Sequence, residues 1–196
     1  MYNVKKVNED LYWIGASDRR LALFENIYPI PRGVSYNSYV ILDEKIAVMD
    51  TIDTRKTDEW KENLERVLDG RTPDYLVVSH LEPDHAGSIK EFADKYPEAK
   101  IVASAKAIAM LPQFFEIADL ADRAVAVKEG EELSLGSHTL QFFMAPMVHW
   151  PEVMMTYDTT DKIFFSADAF GKFGALEVEE EWDCEARRYY IGIVGK

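Results

Sequence analysis

The sequence predicts a single α/β domain, and three observations carry that prediction. Short strand-like runs fill roughly the first fifty residues, strand and helix periods alternate through the middle, and strand-like runs separated by turn residues return from 124 to 166. No Gly/Ser-rich linker or low-complexity segment divides the chain. With 196 residues and 47% apolar content it is long enough to bury one core.

Each element has a local reason. Asn3 to Val7 and Leu11 to Gly15 alternate at period two around Asn8-Glu9-Asp10, which reads as a hairpin turn. An irregular stretch with Pro29, Pro31 and Gly33 follows, and Tyr28 within it reads as a packing residue before a pocket-lining one. Tyr36 to Leu42 and Lys45 to Met49 read as strands joined by a tight two-residue connection, Asp43-Glu44. Thr57 to Leu68 places Trp60, Leu64, Val67 and Leu68 at helical spacing, with Gly70 where a C-cap glycine belongs. A strand over 75 to 79 follows, then a helix from about Ala86 to Tyr96 and a strand from Lys100 to Ala103. The next helix runs from about Ala105 to Glu116, disturbed by Pro112. Ala124 to Val127, Glu132 to Leu135, Thr139 to Met144, Val153 to Tyr157 and Lys162 to Ser166 are strand-like. Arg187 to Lys196 resembles the opening of an amphipathic element, so the sequence reads as a domain cut short at its C-terminal end.

The formal charge of −13 argues against nucleic acid and anionic membrane as partners. Met1-Tyr2-Asn3-Val4-Lys5-Lys6 lacks the apolar core of a signal peptide, and no apolar run approaches the ~20 residues of a membrane span. A cytoplasmic location is expected. The lone Cys184 rules out a disulfide within the chain; with no histidine near it in sequence, it reads as a packed thiol.

The chemistry concentrates in His80-Leu81-Glu82-Pro83-Asp84-His85, directly after the apolar run Tyr75-Leu76-Val77-Val78. A strand ending in such a cluster delivers its ligands to the lip of a sheet, where α/β folds place their sites. In an extended segment residues 80, 82 and 84 share one side. Pro83 keeps Glu82 out of helical geometry, and Asp84 is expected just before the following helix. Two carboxylates brought together repel unless a cation joins them. Two candidates complete the set. His149, in Ala145-Pro146-Met147-Val148-His149-Trp150-Pro151, and Asp168, in Phe165-Ser166-Ala167-Asp168-Ala169-Phe170-Gly171, each follow a strand. Taken alone His149 reads equally as a core histidine; its shared topology with the cluster favours ligation. Asp50 reads either as an acceptor behind a ligand histidine or as a plain turn or cap residue. His138, in Leu135-Gly136-Ser137-His138-Thr139, reads as a surface residue of a hairpin turn.

Three imidazoles and three carboxylates are too many donors for one tetrahedral ion and suit two adjacent ions. The oxygen-rich set favours iron or manganese over zinc.

These residues resemble the N-terminal domain of the flavodiiron proteins (A-type flavoproteins), in the metallo-β-lactamase superfamily. The hydrolases of that superfamily carry H-x-H-x-D-H; the flavodiiron pattern is H-x-E-x-D-H, as His80, Glu82, Asp84 and His85 stand here. Pro31-Arg32-Gly33-Val34-Ser35-Tyr36-Asn37-Ser38-Tyr39, His149-Trp150-Pro151, the Asp168 segment and Arg188-Tyr189-Tyr190 extend the likeness over nearly the whole chain.

The resemblance implies an αββα sandwich over residues 1 to 196, incomplete at the C-terminal end, with no residues left for the family's flavodoxin-like FMN domain. It implies one iron on His80, Glu82 and His149, another on Asp84 and His85, and Asp168 bridging them. It further implies reduction of dioxygen to water or of nitric oxide to dinitrogen monoxide, with no side-chain nucleophile. The cofactors implied are two iron ions, fully or partly occupied or replaced by zinc, with FMN only through a separate domain or protein. The partners implied are a flavodoxin-like or rubredoxin-like electron donor and a second copy of the chain in a homo-oligomer. Two departures stand out: the family's last histidine ligand has no counterpart after His149, and the flavin domain is missing. The alternatives are a metal-dependent hydrolase of the same superfamily, which Glu82 disfavours, and a non-catalytic remnant.

Overall fold

Period-two alternation decides which face of each strand is buried, and here it sorts one sheet between two cores. The computed structural model describes residues 3–175; the expectations for Cys184, Arg188-Tyr189-Tyr190 and the Arg187 to Lys196 segment lie outside them. The first half contains β1 (Lys5–Lys6), β2 (Leu11–Trp13), β3 (Ala16–Asp18), β4 (Leu23–Phe24), β5 (Tyr28–Pro29), β6 (Val34–Tyr36), β7 (Tyr39–Ile41) and β8 (Ala47–Met49). The middle holds α1 (Thr57–Leu68), β9 (Tyr75–Val78), α2 (Pro83–Ala86), α3 (Ile89–Lys95), β10 (Lys100–Ser104), α4 (Ala105–Met110), α5 (Leu120–Arg123) and β11 (Ala124–Val127). The rest is β12 (Glu132–Ser134), β13 (Thr139–Met144), β14 (Met154–Asp158) and β15 (Ile163–Phe165).

A mixed sheet runs in the order β1-β2-β7-β8-β9-β10-β11, antiparallel from β1 to β8 and parallel from β8 to β11. A four-stranded antiparallel sheet, β12-β13-β14-β15, lies against it. Val40, Val48, Leu76, Val78, Ile101 and Ala103 point to the helices and meet Trp60, Leu64, Leu68, Ile89 and Phe92. Their neighbours Ile41, Ala47, Met49, Val77 and Val102 point the other way and meet Leu140, Phe142, Met154 and Phe165 of the second sheet. Each buried aliphatic contributes about 1.5–3 kcal/mol, so a one-residue slip of any central strand would exchange the two cores. The described residues thus form a helix layer and two sheets, the α/β layering that the metallo-β-lactamase resemblance implies.

The helix over Thr57–Leu68 forms as its periodicity requires, although the left-handed C-cap is Asp69, with Gly70 following it at positive φ. Pro112 ends α4, and a 3₁₀ turn (Leu111–Gln113) takes over.

Four expectations are corrected. The Tyr36 to Leu42 strand is split, because β6 pairs with β3 while β7 pairs with β2 and β8. The irregular stretch before it holds two small ribbons, β3 with β6 and β4 with β5. Asp43-Glu44 is no two-residue hairpin turn. The ladder stops at Ile41↔Ala47, and the Asp43 and Asp74 carboxylates take up the backbone N–H groups of Glu44, His138 and Ile46 instead. The helix after the metal motif begins earlier, at Pro83, so Asp84 lies inside a helical turn; Gly87 and Ser88 separate this turn from α3.

β8 and β9 end at one edge of the first sheet, their chains continuing into Asp50 and His80, and β10 ends there at Ser104. Two bonds tie the second sheet to that edge: Met154 N–H donates to the Ser79 carbonyl at 3.0 Å, and Ser104 Oγ donates to the Glu152 carbonyl at 2.7 Å. The strand-end loops of both sheets therefore open into the same space.

Candidate metal centre

Three successive conformations aim the motif. His80 leaves β9, Glu82 is extended (φ −61°, ψ 144°), and Pro83 begins the helical turn that carries Asp84 and His85. Loops after β13 and β15 bring in His149 and Asp168. The six residues expected from sequence thus come together in two groups that share Asp168: His80, Glu82, His149 and Asp168 in one, Asp84, His85 and Asp168 in the other.

In the first group Glu82 Oε2 lies 3.1 Å from His80 Nε2 and 2.8 Å from His149 Nε2, and the two Nε2 atoms are 3.4 Å apart. Asp168 Oδ2 is 3.4 Å from His80 Nε2 and 3.2 Å from His149 Nε2. In the second group Asp168 Oδ1 lies 2.9 Å from His85 Nε2, and Asp84 Oδ2 lies 3.7 Å from it. One carboxylate therefore reaches both groups with different oxygens.

Two further carboxylates stand behind the imidazoles. Glu152 Oε1 bonds His80 Nδ1 at 2.8 Å and accepts the Leu81 N–H at 2.9 Å. Asp50 Oδ2 faces His85 Nδ1 at 3.3 Å, while its Oδ1 accepts the Ser79 N–H at 2.6 Å. Both backing carboxylates are pinned by backbone N–H groups just after β9, Glu152 by Leu81 and Asp50 by Ser79, and each leaves Nε2 turned to the centre. Of the two roles expected for Asp50, the geometry selects the acceptor behind a histidine.

Crowded acids and imidazoles share protons here. Asp168 holds the His149 imidazole up to about 10, with Glu82 adding to it. Burial would lower His85, but Asp84 and Asp168 outweigh it and raise the ring well above its ordinary value. Burial would likewise lower His80, but Glu152 and Glu82 raise it. Burial, opposed by His85, pushes Asp84 up to about 7. Glu82 goes the other way, to about 2, because bonds from His149 and His80 overcome its burial. Asp168 is lowered for similar reasons, by the His85 charge and bonds from His149 and His85 acting against burial.

This sharing leaves some oxygens unserved. Asp84 Oδ1 and Asp168 Oδ2 are buried with no hydrogen bond of good geometry, although Asp168 Oδ2 has two imidazole nitrogens within 3.4 Å. A buried carboxylate oxygen without a partner is costly, and a cation between the groups would satisfy both atoms. The donor set and the orphaned oxygens fit a pair of metal ions.

Sequence reading missed Glu152 and Glu25. Glu152 stands three residues after His149 in front of the apolar Val153-Met154-Met155, and that setting is the signal that could have found it, as it found Asp168. Glu25, at positive φ in the β4–β5 turn, hydrogen-bonds Glu82 and is pushed up to about 7 by that bond and by burial. Nothing local in the sequence announces it. Tyr28 packs its ring against Phe173. His138 is corrected outright: it is buried, not a surface residue, with Nδ1 2.7 Å from Asp158 Oδ2.

Residues 34–190 match the family model described as ODP family beta lactamase. Among curated relatives, a nitric oxide reductase of Moorella thermoacetica is 33% identical across 96% of this chain and 49% of its own length. The chain spans about half the length of the curated relatives it matches. The flavodiiron protein from Giardia intestinalis superposes with a TM-score of 0.90 at 29% identity, over 100% of this chain and 49% of that one. The rubredoxin oxygen:oxidoreductase of Desulfovibrio gigas gives a TM-score of 0.88 at 30% identity, over 98% and 49%.

Proposed function

The chain belongs to the ODP family of beta-lactamase-like proteins, and from that premise we propose that it is the diiron domain of a flavodiiron-type reductase of nitric oxide or dioxygen. The observation that carries this reading is the placement of Glu82, bonded to both His80 and His149 where a hydrolase of the superfamily would have a third clustered imidazole. A carboxylate there, with Asp168 within reach of both groups, makes the donor set oxygen-rich and suited to iron.

On this reading His80, Glu82 and His149 hold one ion, Asp84 and His85 the other, and Asp168 lies between them. Two irons would supply one-electron redox chemistry and open positions for a diatomic ligand. The protein's own contribution is orientation and proton holding. Glu152 and Asp50 fix the tautomers of His80 and His85 by accepting hydrogen bonds from their Nδ1–H groups. Trp150 stands edge-on to His80 at 5.3 Å with Phe114 beyond it, an aromatic wall that limits water on that side. Reduction of either gas consumes protons, and Glu25, the more exposed member of its pair with Glu82, offers a carboxyl that can hold one. Electrons would come from FMN on a flavodoxin-like domain or protein, as the resemblance implies, or from a rubredoxin-like donor, as the names of the relatives suggest.

The test is anaerobic purification, metal analysis and gas consumption with a chemical reductant. Iron approaching two per chain together with loss of nitric oxide or dioxygen is the expected result. Zinc alone, with turnover of ester or thioester substrates, would replace this reading with the hydrolase.

A further inference from the structure

A second polar cavity, of about 450 Å³, is lined by Asn3, Ser17, Asp18, Arg19, Arg20, Arg55 and Lys56. Among the described residues, no hydrophobic side chain lines it. Four cations meet there in a chain with 22 lysines and arginines against 35 acids. Arg19 has a partner of its own, and acids nearby engage two of the other three. The Asp18 carboxylate is buried and spent on the N–H groups of Arg20 and Leu21. Asp53 reaches Arg55 at 3.6 Å and Glu59 reaches Lys56 at 3.1 Å. Arg20 forms no ion pair among the described residues, and its side chain is exposed.

The wall is built in advance. β3 is clamped to β6 through Asp18↔Val34, and Gly33 approaches so closely that a Cβ there would lie 2.4 Å from the Asp18 carbonyl. Behind the wall, the hydroxyl of Tyr36 is buried with no well-formed hydrogen bond, and it feels the charges of Asp53, Asp18 and Arg55. A cluster of guanidinium groups over a rigid loop matches the fork geometry that recognises phosphate oxygens. Size refines the ligand class. A water molecule takes about 30 Å³, so orthophosphate alone would leave most of the cavity wet, whereas a phosphate joined to a small polar organic group would fill it.

We propose that this cavity binds a small phosphate monoester, anchored by Arg20, Arg55 and Lys56. The proposal does not depend on the metal chemistry, since none of these residues is among the six candidate ligands. Calorimetric titration of the full chain with glycerol phosphate, and separately with orthophosphate, at ionic strength held constant with chloride, tests it. Glycerol phosphate is expected to bind more tightly than orthophosphate. The double variant Arg20→Gln/Arg55→Gln should weaken it by about tenfold or more, and the distant Lys128→Gln should leave it unchanged. Lys56→Gln gives an independent check should the double variant fold poorly. Equal binding by wild type and variants, or no heat above the chloride control, would overturn the site; orthophosphate binding as tightly as the ester would overturn the ligand class.

Discussion

Two clusters in this molecule bring an imidazole against carboxylates, and they differ in what is left over. At the candidate metal centre, Asp84 Oδ1 and Asp168 Oδ2 remain buried without a hydrogen bond. Around His138, which with Asp158 and Asp161 also has ligand spacing, every group is engaged. His138 Nδ1 meets Asp158 Oδ2 at 2.7 Å, its Nε2 lies 3.5 Å from Asp10, and its backbone N–H donates to Asp43 Oδ2 at 2.7 Å. Asp158 Oδ1 accepts from Thr160, and Asp161 accepts from Asn8 at 2.6 Å. Proximity alone therefore does not mark a metal site; what separates the two clusters is that only the first leaves carboxylate oxygens of its members buried without a partner. The His138 group is a clasp that joins the β1–β2 turn and the β7–β8 loop to the β12–β13 and β14–β15 turns.

The sharpest way to break this contrast is Asp168→Asn. As the one residue common to both groups, it should cost the chain at least one of two irons, read by metal analysis of anaerobically prepared protein; retention of both would remove Asp168 from the centre. Glu152→Gln should act less severely. The ring of His80 loses the anion that holds its Nδ1 proton, and iron affinity should fall about 10–100-fold, as chelator competition would measure. An unchanged affinity would reduce Glu152 to a packing role.

His138→Asn should have the smallest effect and should leave iron content untouched. It should lower stability by about 1–3 kcal/mol, the cost of stranding Asp158, as read from urea unfolding. Its pH signature has a definite sign. Burial lowers the His138 pKa, but Asp158, with Asp10 and Asp161, raises it above the unfolded value. The clasp therefore contributes fully below the unfolded pKa of about 6.5 and is lost as pH climbs through the higher folded value. The stability gap between wild type and H138N should narrow across that window. A gap constant in pH would mean that the imidazole is not charged in the fold.

Much of this was legible along the chain. The Thr57–Leu68 helix was readable residue by residue because its apolar stripe at Trp60, Leu64 and Leu68 has no competing period. The βα order followed from the same kind of signal. The motif from His80 to His85 was readable because one strand end supplies four donors within six residues. His149 and Asp168 were readable by analogy of position, each a polar residue at the end of an apolar run. What misled were short segments whose partners are distant in sequence. Nothing near His138 shows that Asp158 and Asp10 close over it, and nothing near Asp43 shows that its carboxylate serves residue 138 and not a hairpin.

Sequence by itself determined the order of strands and helices along the chain, the strand ends at which the candidate ligands stand, and the oxygen-rich donor set, since these depend on residue type and local period. Only the tertiary structure decided that Asp168 reaches both groups, that Glu152 and Asp50 stand behind His80 and His85, and that His138 is buried. Those facts depend on how two sheets lie against each other, joined at Ser79 to Met154 and Ser104 to Glu152. Packing of the shared core sets that arrangement, and no window of neighbouring residues contains it.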